Sequence, residues 1–308
     1  MKKRILDCTA SDFEAMKKEE LLFAIGAAEG RTLACETIGT VSPLLSDITN
    51  AELSAAMGAD IVLLNIFDVN NPQIQGLPKV EPNDTIREVK RLTGRPVGIN
   101  LEPVEQSVKP AEVDELWAMT AGRKATPENA KKAVEMGVDF ILLTGNPGMG
   151  VSNRAITETL SLFHREFGNK VILAAGKMHA AGILNEAAER IITREDIQAF
   201  ADAGADIILL PAPGTVPGIT TEYVRGLVAY AHSLGKLTIT AIGTSQEGAD
   251  QDTIRRIALM CKMTGTDIHH LGDSGYTGVA VPENITAYSV AIKGKRHTYR
   301  RMSMSARR

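Results

Sequence analysis

The chain has 308 residues and a net charge of −3, and its 44% hydrophobic content is enough for a substantial core. No apolar run approaches the length of a membrane span, and the basic start lacks the apolar segment of a signal peptide. Three widely spaced cysteines argue against a disulfide framework. We therefore expect a cytoplasmic protein that has no membrane partner.

The first part of the chain, residues 1–30, is predicted to be a helical extension. Ser11–Glu14 matches a capping box, and apolar residues at helical spacing follow it as far as Gly30. Such a segment would cover the bottom of whatever structure comes next.

From residue 31 onward, short apolar runs alternate with amphipathic helices. The eight predicted strands are Thr32–Thr37, Asp60–Ile66, Pro96–Leu101, Asp139–Thr144, Lys170–Ala175, Asp206–Leu210, Lys236–Ile242 and Thr266–Leu271. The predicted helices between and after them are Asp47–Met57, Asp84–Thr93, one from Thr126, Asn153–Phe167, one from Thr193, Thr220–Leu234, Asp250–Met263 and Pro282–Lys293. Continuous apolar strands joined by helices are typical of a parallel sheet that is buried on both faces.

The count of eight strands predicts an α/β fold, a (β/α)₈ TIM barrel over residues 31–293, within a single domain of residues 1–308. A doubly wound open sheet is the alternative. Such sheets usually carry a glycine fingerprint after the first strand, and Glu36–Thr40 does not provide one.

One short sequence pattern occurs four times in the chain, at Gly58–Asn65, Gly137–Ser152, Gly204–Thr220 and Gly265–Gly272. Each copy places an aspartate before an even-numbered strand, at Asp60, Asp139, Asp206 and Asp267. Glycine commonly ends a helix and aspartate commonly begins a turn, so single copies need no further explanation. Four copies at alternate strands favour a barrel built from four similar quarters.

The C-terminal segment is strongly basic. From Lys293 to Arg308 there are seven Lys or Arg residues and no acid, which leaves 27 basic against 37 acidic residues, or −10, in the remainder. Residues 294–308 are therefore predicted to form a basic tail, which is either solvated or docked on the acidic body or a neighbouring subunit. Regular aromatic interleaving is lacking, so we expect no nucleic-acid partner.

In a TIM barrel the active site lies where the strands end, at their carboxyl termini. The residues expected there to bind substrate or phosphate are Asn65, Asn100, Thr144, Asn146, Gly214, Gly243, Thr244, Ser245, Gly272, Ser274 and Gly275. The loops after strands seven and eight are the preferred anion sites, because free backbone N–H groups and a helix dipole favour phosphate. The alternative is that their glycines only shape tight turns.

Four residues of reactive type are the candidate catalytic groups. Lys177 could form a Schiff base or clamp a phosphate, and His179 could move a proton near neutral pH. Of the adjacent His269 and His270, one should face the barrel interior, and we take His270, together with Glu36, as catalytic. The alternative for Lys177 and His179 is an ordinary surface lysine and loop histidine.

Acidic residues at the ends of separate strands could hold a divalent cation. Asp68, Glu102 and Asp273 provide the hard oxygen ligands that suit Mg²⁺, so the only cofactor considered is Mg²⁺.

Several stretches resemble known families. Gly58–Asn65, Arg95–Asn100, Val171–Ala180 and Gly204–Leu210 resemble phosphate-binding TIM barrels, most closely the BtpA family, which is named for a role in photosystem I assembly. Leu44–Asp60 is similar to the phosphoenolpyruvate mutase and isocitrate lyase group. That second resemblance implies Mg²⁺ and an enolate or oxocarboxylate intermediate, although the paired acids of that group are absent after strands two and three.

Two functions are therefore expected. The first is a cytosolic enzyme of the lyase or isomerase type that acts on a small phosphorylated or carboxylated, hence anionic, metabolite. The second is a non-catalytic, BtpA-like barrel that serves as an assembly or ligand-sensing module. In either case we expect a homo-oligomer.

Overall fold

The barrel closes in the order of the sequence. The structure is a computed structural model that describes residues 2–105, 118–145, 150–180 and 187–308. Its strands are β1 (Thr32–Ile38), β2 (Ile61–Asn65), β3 (Val97–Leu101), β4 (Phe140–Leu143), β5 (Ile172–Gly176), β6 (Ile207–Pro211), β7 (Leu237–Ile242) and β8 (Ile268–Leu271). Each strand pairs in parallel with the next, and β8 pairs with β1. The predicted (β/α)₈ TIM barrel is confirmed.

The helices alternate with these strands. They are α1 (Ala10–Ala15), α2 (Lys18–Gly26), α3 (Asn50–Ala56), α4 (Thr85–Thr93), α5 (Pro127–Met136), α6 (Asn153–Phe167), α7 (Arg194–Asp202), α8 (Thr221–Ser233), α9 (Gln251–Thr264) and α10 (Pro282–Met302). In the described part of the chain, no helix is both long enough and apolar enough to cross a membrane.

The N-terminal helices begin at a different residue from the one predicted. The capping box is formed by Thr9 and Asp12, whose side chains each accept the other's backbone N–H, so the Ser11–Glu14 prediction was wrong. Helix α1 ends within six residues, and α2 starts after an extended Lys17. Leu21 and Ile25 of α2 pack against the apolar bottom of the barrel interior.

Side-chain alternation along the strands sorts the interior into two layers. Positions that face the interior near the bottom are apolar, and they are Ala34, Ile61, Leu63, Leu142, Ile172, Ala174, Ile207, Leu209, Ile239, Ala241 and Ile268. The positions two residues further along are polar or small at Glu36, Asn65, Thr144, Gly243 and His270. Strand geometry therefore carries a polar layer to the upper end of a packed apolar plug.

The four repeated aspartates connect neighbouring strands at the lower end of the barrel. Each directly precedes an even-numbered strand, and its carboxylate accepts the backbone N–H of a residue near the start of the preceding odd-numbered strand at 2.8 Å. The pairs are Asp60 with Leu33, Asp139 with Val97, Asp206 with Leu173, and Asp267 with Thr238. The sequence repeat thus corresponds to one structural device that is used four times.

Each of these carboxylates also meets a basic side chain that comes from outside the sheet. The partners are Lys90 for Asp139 at 2.8 Å, Lys18 for Asp206 at 2.7 Å, His232 for Asp267 at 2.8 Å, and both Lys293 and Arg301 for Asp60. A carboxylate held by a backbone N–H and a cation fixes the relative height of two strands and a helix. The aspartates therefore set register as well as turn geometry.

Asp60 differs from the other three because its whole environment is buried. The side chains of Asp60, Lys293 and Arg301 are at most 2% exposed, and Arg301 also donates to the carbonyl oxygens of Ile5 and Cys8. Lys293 and Arg301 lie in α10, on either side of a break at Gly294, where φ is +73°. The basic C-terminal segment is thus packed onto the acidic body and onto the N-terminal residues.

Substituting Asp60→Asn should test this buried cluster, because the amide keeps the shape but leaves two buried cations without a counter-charge. We expect a loss of about 3–5 kcal/mol in the free energy of unfolding. The matched substitution Asp139→Asn, whose partner Lys90 is partly exposed, should cost about 1 kcal/mol. Urea unfolding followed by far-UV circular dichroism measures both values, and equal losses would contradict a special role for Asp60.

Candidate active site

A cavity of about 500 Å³ opens at the carboxyl ends of the strands. Its walls come from the loops after seven of the eight strands, which is where a TIM barrel places its chemistry. The lining residues are Glu36, Asn65, Ile66, Asn100, Glu102, Arg123, Thr144, Gly145, Met178, His179, Gly243, Ser245, Glu247, Gly272, Asp273 and Gly275.

Most of the predicted site residues lie on this cavity. Those that line it are Glu36, Asn65, Asn100, Glu102, Thr144, His179, Gly243, Ser245, Gly272, Asp273 and Gly275. His270 lies directly behind Glu36, with 3.6 Å between its Nε2 and the carboxylate Oε2. Asn146 falls outside the described residues.

Four of the predicted catalytic and substrate-binding residues are placed elsewhere. Lys177 is buried directly after the end of β5 and does not line the cavity. Thr244 donates its hydroxyl to the Thr215 carbonyl and so joins the loops after β6 and β7. The two others are Gly214, which packs beside Met260 of α9, and Ser274, whose backbone N–H donates to Glu247.

The predicted Mg²⁺ ligands are not brought together. Asp68 accepts the backbone N–H groups of Asn70 and Asn71 and lies outside the cavity wall, while Glu102 pairs with Arg123 at 2.9 Å. Within the described ranges, no three His, Cys, Asp or Glu side chains form a group that could hold a metal ion. The metal site predicted from Asp68, Glu102 and Asp273 is therefore not formed by these residues.

Three carboxyl groups form one side of the cavity. Glu36, Glu247 and Asp273 are 5%, 4% and 8% exposed, and they come from the ends of β1, β7 and β8. Burial, and then the charges of Asp273 and Glu247, raise the pKa of Glu36 well above its usual value. Burial is also the largest cause of the raised pKa values of Glu247 and Asp273. Each of these carboxyl groups therefore keeps its proton to a higher pH than an ordinary carboxyl group does.

The two adjacent histidines of β8 have separate environments, as strand alternation predicts. His269 faces the helix layer, where its ring nitrogens lie 3.1 Å from the Tyr288 hydroxyl and 3.1 Å from the Gly30 carbonyl. His270 faces Glu36, and burial lowers its pKa to about 4. A neutral imidazole thus stands behind a carboxyl group that tends to keep its proton.

The opposite side of the cavity, at the ends of β3 to β5, carries the basic side chains together with the carboxylate of Glu102. Arg123 donates to Glu102 and to the Ala118 carbonyl, and its Nε has no hydrogen-bond partner in the described part of the chain. His179 lies near Lys177, and burial and then the charge of that lysine lower the pKa of His179. In a barrel of eight strands β4 lies across from β8, so the acidic and basic groups face each other over the cavity.

The glycine-rich loops after β7 and β8 are less suited to an anion than their sequences predict. A Cβ at Gly243 would lie 2.2 Å from the Met178 sulfur, and one at Gly272 would lie 2.6 Å from the Ile242 carbonyl oxygen. Close packing against the backbone therefore requires glycine at 272, whereas a side chain at 243 would have to displace the flexible Met178 side chain. The same loops present the carboxyl groups of Glu247 and Asp273, which repel a phosphate.

Sequence reasoning missed Arg123 and Glu247. Arg123 lies in the long insertion after β3, which the alternating pattern does not assign to any strand end. Glu247 lies only two residues after Ser245, in a 3₁₀ turn that begins after a left-handed Ser245 with φ of +75°. Glu247 could have been found from the sequence because it lies in the loop after β7, which was already a candidate anion site.

Comparison with known proteins identifies the family. A family model described as "Domain of unknown function (DUF7916)" matches residues 6–308, and the chain belongs to this family. No curated protein matches the chain.

Solved structures share the fold at low sequence identity. An archaeal fructose 1,6-bisphosphate aldolase is 12% identical, with a TM-score of 0.53 over 87% of this chain and 96% of its own. A Schiff-base-forming fructose-1,6-bisphosphate aldolase is 13% identical, with a TM-score of 0.53 over 86% and 96%. Thiamine phosphate pyrophosphorylase from Pyrococcus furiosus is 12% identical, with a TM-score of 0.49 over 87% and 98%. Similarity of this degree shows the fold, and the more specific resemblances to BtpA and to phosphoenolpyruvate mutase stay predictions.

The raised pKa of Glu36 predicts how stability depends on pH. The folded state keeps this proton to a higher pH than the unfolded chain does, so stability is lost as the pH rises from the unfolded value toward the folded one. Glu36→Gln removes that loss and should therefore gain stability over the wild type as the pH rises above the unfolded pKa of about 4.5 and through the raised pKa of folded Glu36. The gain should be about 1.4 kcal/mol per pH unit by which the folded pKa exceeds the unfolded one.

Urea unfolding of both proteins at several pH values measures this difference. Exposed Glu158, changed to Gln, serves as the matched control and should show no such trend. A difference between Glu36→Gln and the wild type that does not change with pH would contradict the raised pKa.

Proposed function

We propose that the chain is an enzyme of the lyase or isomerase type that transfers a proton on a small carboxylated or phosphorylated metabolite. The observation that carries this proposal is the pair formed by Glu36 and His270 at the floor of the cavity. A substrate can reach Glu36, because it lines the cavity, whereas His270 is fully buried behind it.

This pair suits general acid–base catalysis. A catalytic group works best when its pKa lies near the working pH, and burial moves the pKa of Glu36 upward in that direction. His270 stays neutral because burial lowers its pKa to about 4, so it takes no proton from Glu36 and is a positioning residue rather than one that touches substrate. Perturbed carboxyl groups at a barrel rim are typical of functional sites.

A second acid or base is available on the same side. Glu247 lines the cavity, and its Oε2 is buried without a hydrogen-bond partner in the described part of the chain. A lyase or isomerase reaction moves a proton from one atom and delivers one to another, which two separate carboxyl groups can do. Glu36 and Glu247 would take these two roles.

The anionic end of the substrate would lie on the opposite side of the cavity. Arg123 offers its Nε–H there, and the Thr144 side chain and the His179 ring line the same wall. This wall lies across the cavity from Glu36, Glu247 and Asp273, and its own carboxylate, Glu102, is paired with Arg123. The position of Arg123 fixes which end of the substrate reaches the acid–base pair.

Other mechanisms receive less support. A Schiff base requires an amine in the cavity, and Lys177 does not line it. The BtpA-like module would use the basic tail for partners, yet Lys293 and Arg301 of that segment are buried against Asp60. Neither alternative has an observation of its own in its favour.

Exchange of substrate protons with solvent tests the proposal. The protein is incubated in D₂O with 2-oxobutanoate, dihydroxyacetone phosphate or ribose 5-phosphate, and loss of C–H signals is followed by proton NMR. We expect exchange with at least one compound, and Glu36→Gln should slow it by about 100-fold or more. His270→Gln should shift the pH profile of exchange, whereas Glu158→Gln should leave the rate unchanged.

Two results would contradict the proposal. One is the absence of exchange with all three compounds, and the other is exchange that survives in Glu36→Gln at the wild-type rate.

A further inference from the structure

The hydrogen bonds on the β2 and β3 side of the cavity have a fixed direction. The backbone N–H of Ile66 donates to the side chain of Asn65 at 2.8 Å. A backbone N–H can only donate, so the Asn65 atom that it meets must be the oxygen. The amide nitrogen of Asn65 therefore donates to Asp273 at 2.8 Å.

The conformation of Ile66 supports this arrangement. Its φ is +47°, which is unusual for a β-branched residue. Residues kept in such conformations cluster at binding and catalytic sites, and Ile66 lines the cavity. Here the conformation accompanies an N–H that points back to the side chain of the preceding residue.

Asn65 in turn fixes the orientation of the Asn100 side-chain amide. Asn100 Nδ2 donates to the oxygen of Asn65 at 3.2 Å, which leaves the Asn100 carbonyl oxygen on the other side of the amide. Asn100 is 7% exposed and lines the cavity, and this oxygen has no partner in the described part of the chain. The backbone N–H of Ile66 fixes the Asn65 oxygen as an acceptor. Turning the amide of Asn100 would therefore place two acceptor oxygens against each other.

Glu247 presents a second acceptor from the opposite side. The backbone N–H of Ser274 donates to Glu247 Oε1 at 3.2 Å, which leaves Oε2 buried and without a partner among the described residues. Glu102 Oε2, beyond its pair with Arg123, is in the same state. Buried polar atoms are nearly always hydrogen-bonded, so these oxygens require donors from a ligand or from water.

Hydroxyl groups are the donors that fit this set. A carboxylate or a fully ionised phosphate brings only acceptors, and among the buried atoms of the described cavity residues the one donor without a partner is Arg123 Nε. We propose that the cavity binds a short polyhydroxylated chain with one anionic end, as in a sugar acid or sugar phosphate. Its hydroxyls donate to Asn100 Oδ1 and Glu247 Oε2, and its anionic end lies at Arg123.

This inference rests on the proposed function only in placing the ligand in the same cavity. It names the class of substrate, and it requires no particular reaction. A site whose polar atoms need a donor rejects an analogue that lacks the hydroxyls, because burying those atoms unpaired is costly.

Calorimetric titration of the full chain with matched probes tests the inference. Gluconate and hexanoate have the same number of carbons and one carboxylate each, and only gluconate carries hydroxyls. We expect gluconate to bind at least about tenfold more tightly than hexanoate, since one hydrogen bond is worth about that factor. Ribose 5-phosphate compared with inorganic phosphate shows whether the preferred anionic end is a phosphate.

A substitution locates the effect. Asn100→Ala should weaken binding of the preferred hydroxylated probe by about tenfold and leave hexanoate binding unchanged. Asn169→Ala, at an exposed position below the barrel, is the matched control and should bind like the wild type. The wild-type comparison of gluconate with hexanoate needs no variant, so it decides the question even if Asn100→Ala fails to fold.

The outcomes separate this inference from the proposed function. Equal binding of gluconate and hexanoate, with no preference for ribose 5-phosphate over phosphate, would overturn the inference even if proton exchange occurs. Selective binding of a hydroxylated probe without any proton exchange would support the inference and remove the proposed reaction. Selective binding that Asn100→Ala leaves intact would overturn the assignment to Asn100.

Discussion

The structure depends on one repeated interaction, in which an aspartate before each even-numbered strand accepts a backbone N–H of the strand before it. Four such contacts, each joined by a basic side chain from outside the sheet, fix the strands in pairs at the lower end of the barrel. At Asp60 the same contact is buried with Lys293 and Arg301, which also ties both ends of the chain to the barrel. Register at the bottom then determines which side chains face inward at the top.

The upper end of the barrel uses that register to separate charges. Glu36, Glu247 and Asp273 occupy the side formed by β7, β8 and β1, while Arg123 and His179 occupy the side across from it. Burial raises the pKa of each of the three carboxyl groups and lowers that of His179. The two sides of the cavity therefore differ in chemistry, and a ligand whose two ends also differ in chemistry can bind in only one orientation.

Much of this could be predicted from the sequence. The strands were found because a parallel sheet buried on both faces needs continuous apolar runs, and inward-facing polar residues such as Glu36 and Asn100 follow from strand parity. Lys177 follows the end of β5, where the alternation of a strand no longer reports which way a side chain points. Arg123 and Glu247 were missed because loops lack a period, so nothing in the local pattern reports where their side chains point. The role of the glycines at 243 and 272 depends on neighbours far away in the sequence, which a single chain does not reveal.

The most direct test of this account is a crystal structure of the chain with gluconate bound. The account predicts density in the cavity at the strand ends, with the carboxylate within hydrogen-bond distance of Arg123 Nε and hydroxyls on Asn100 Oδ1 and Glu247 Oε2. Gluconate bound in the reverse orientation, with its carboxylate beside Glu247 and Asp273, would contradict the account. So would density that lies only outside this cavity.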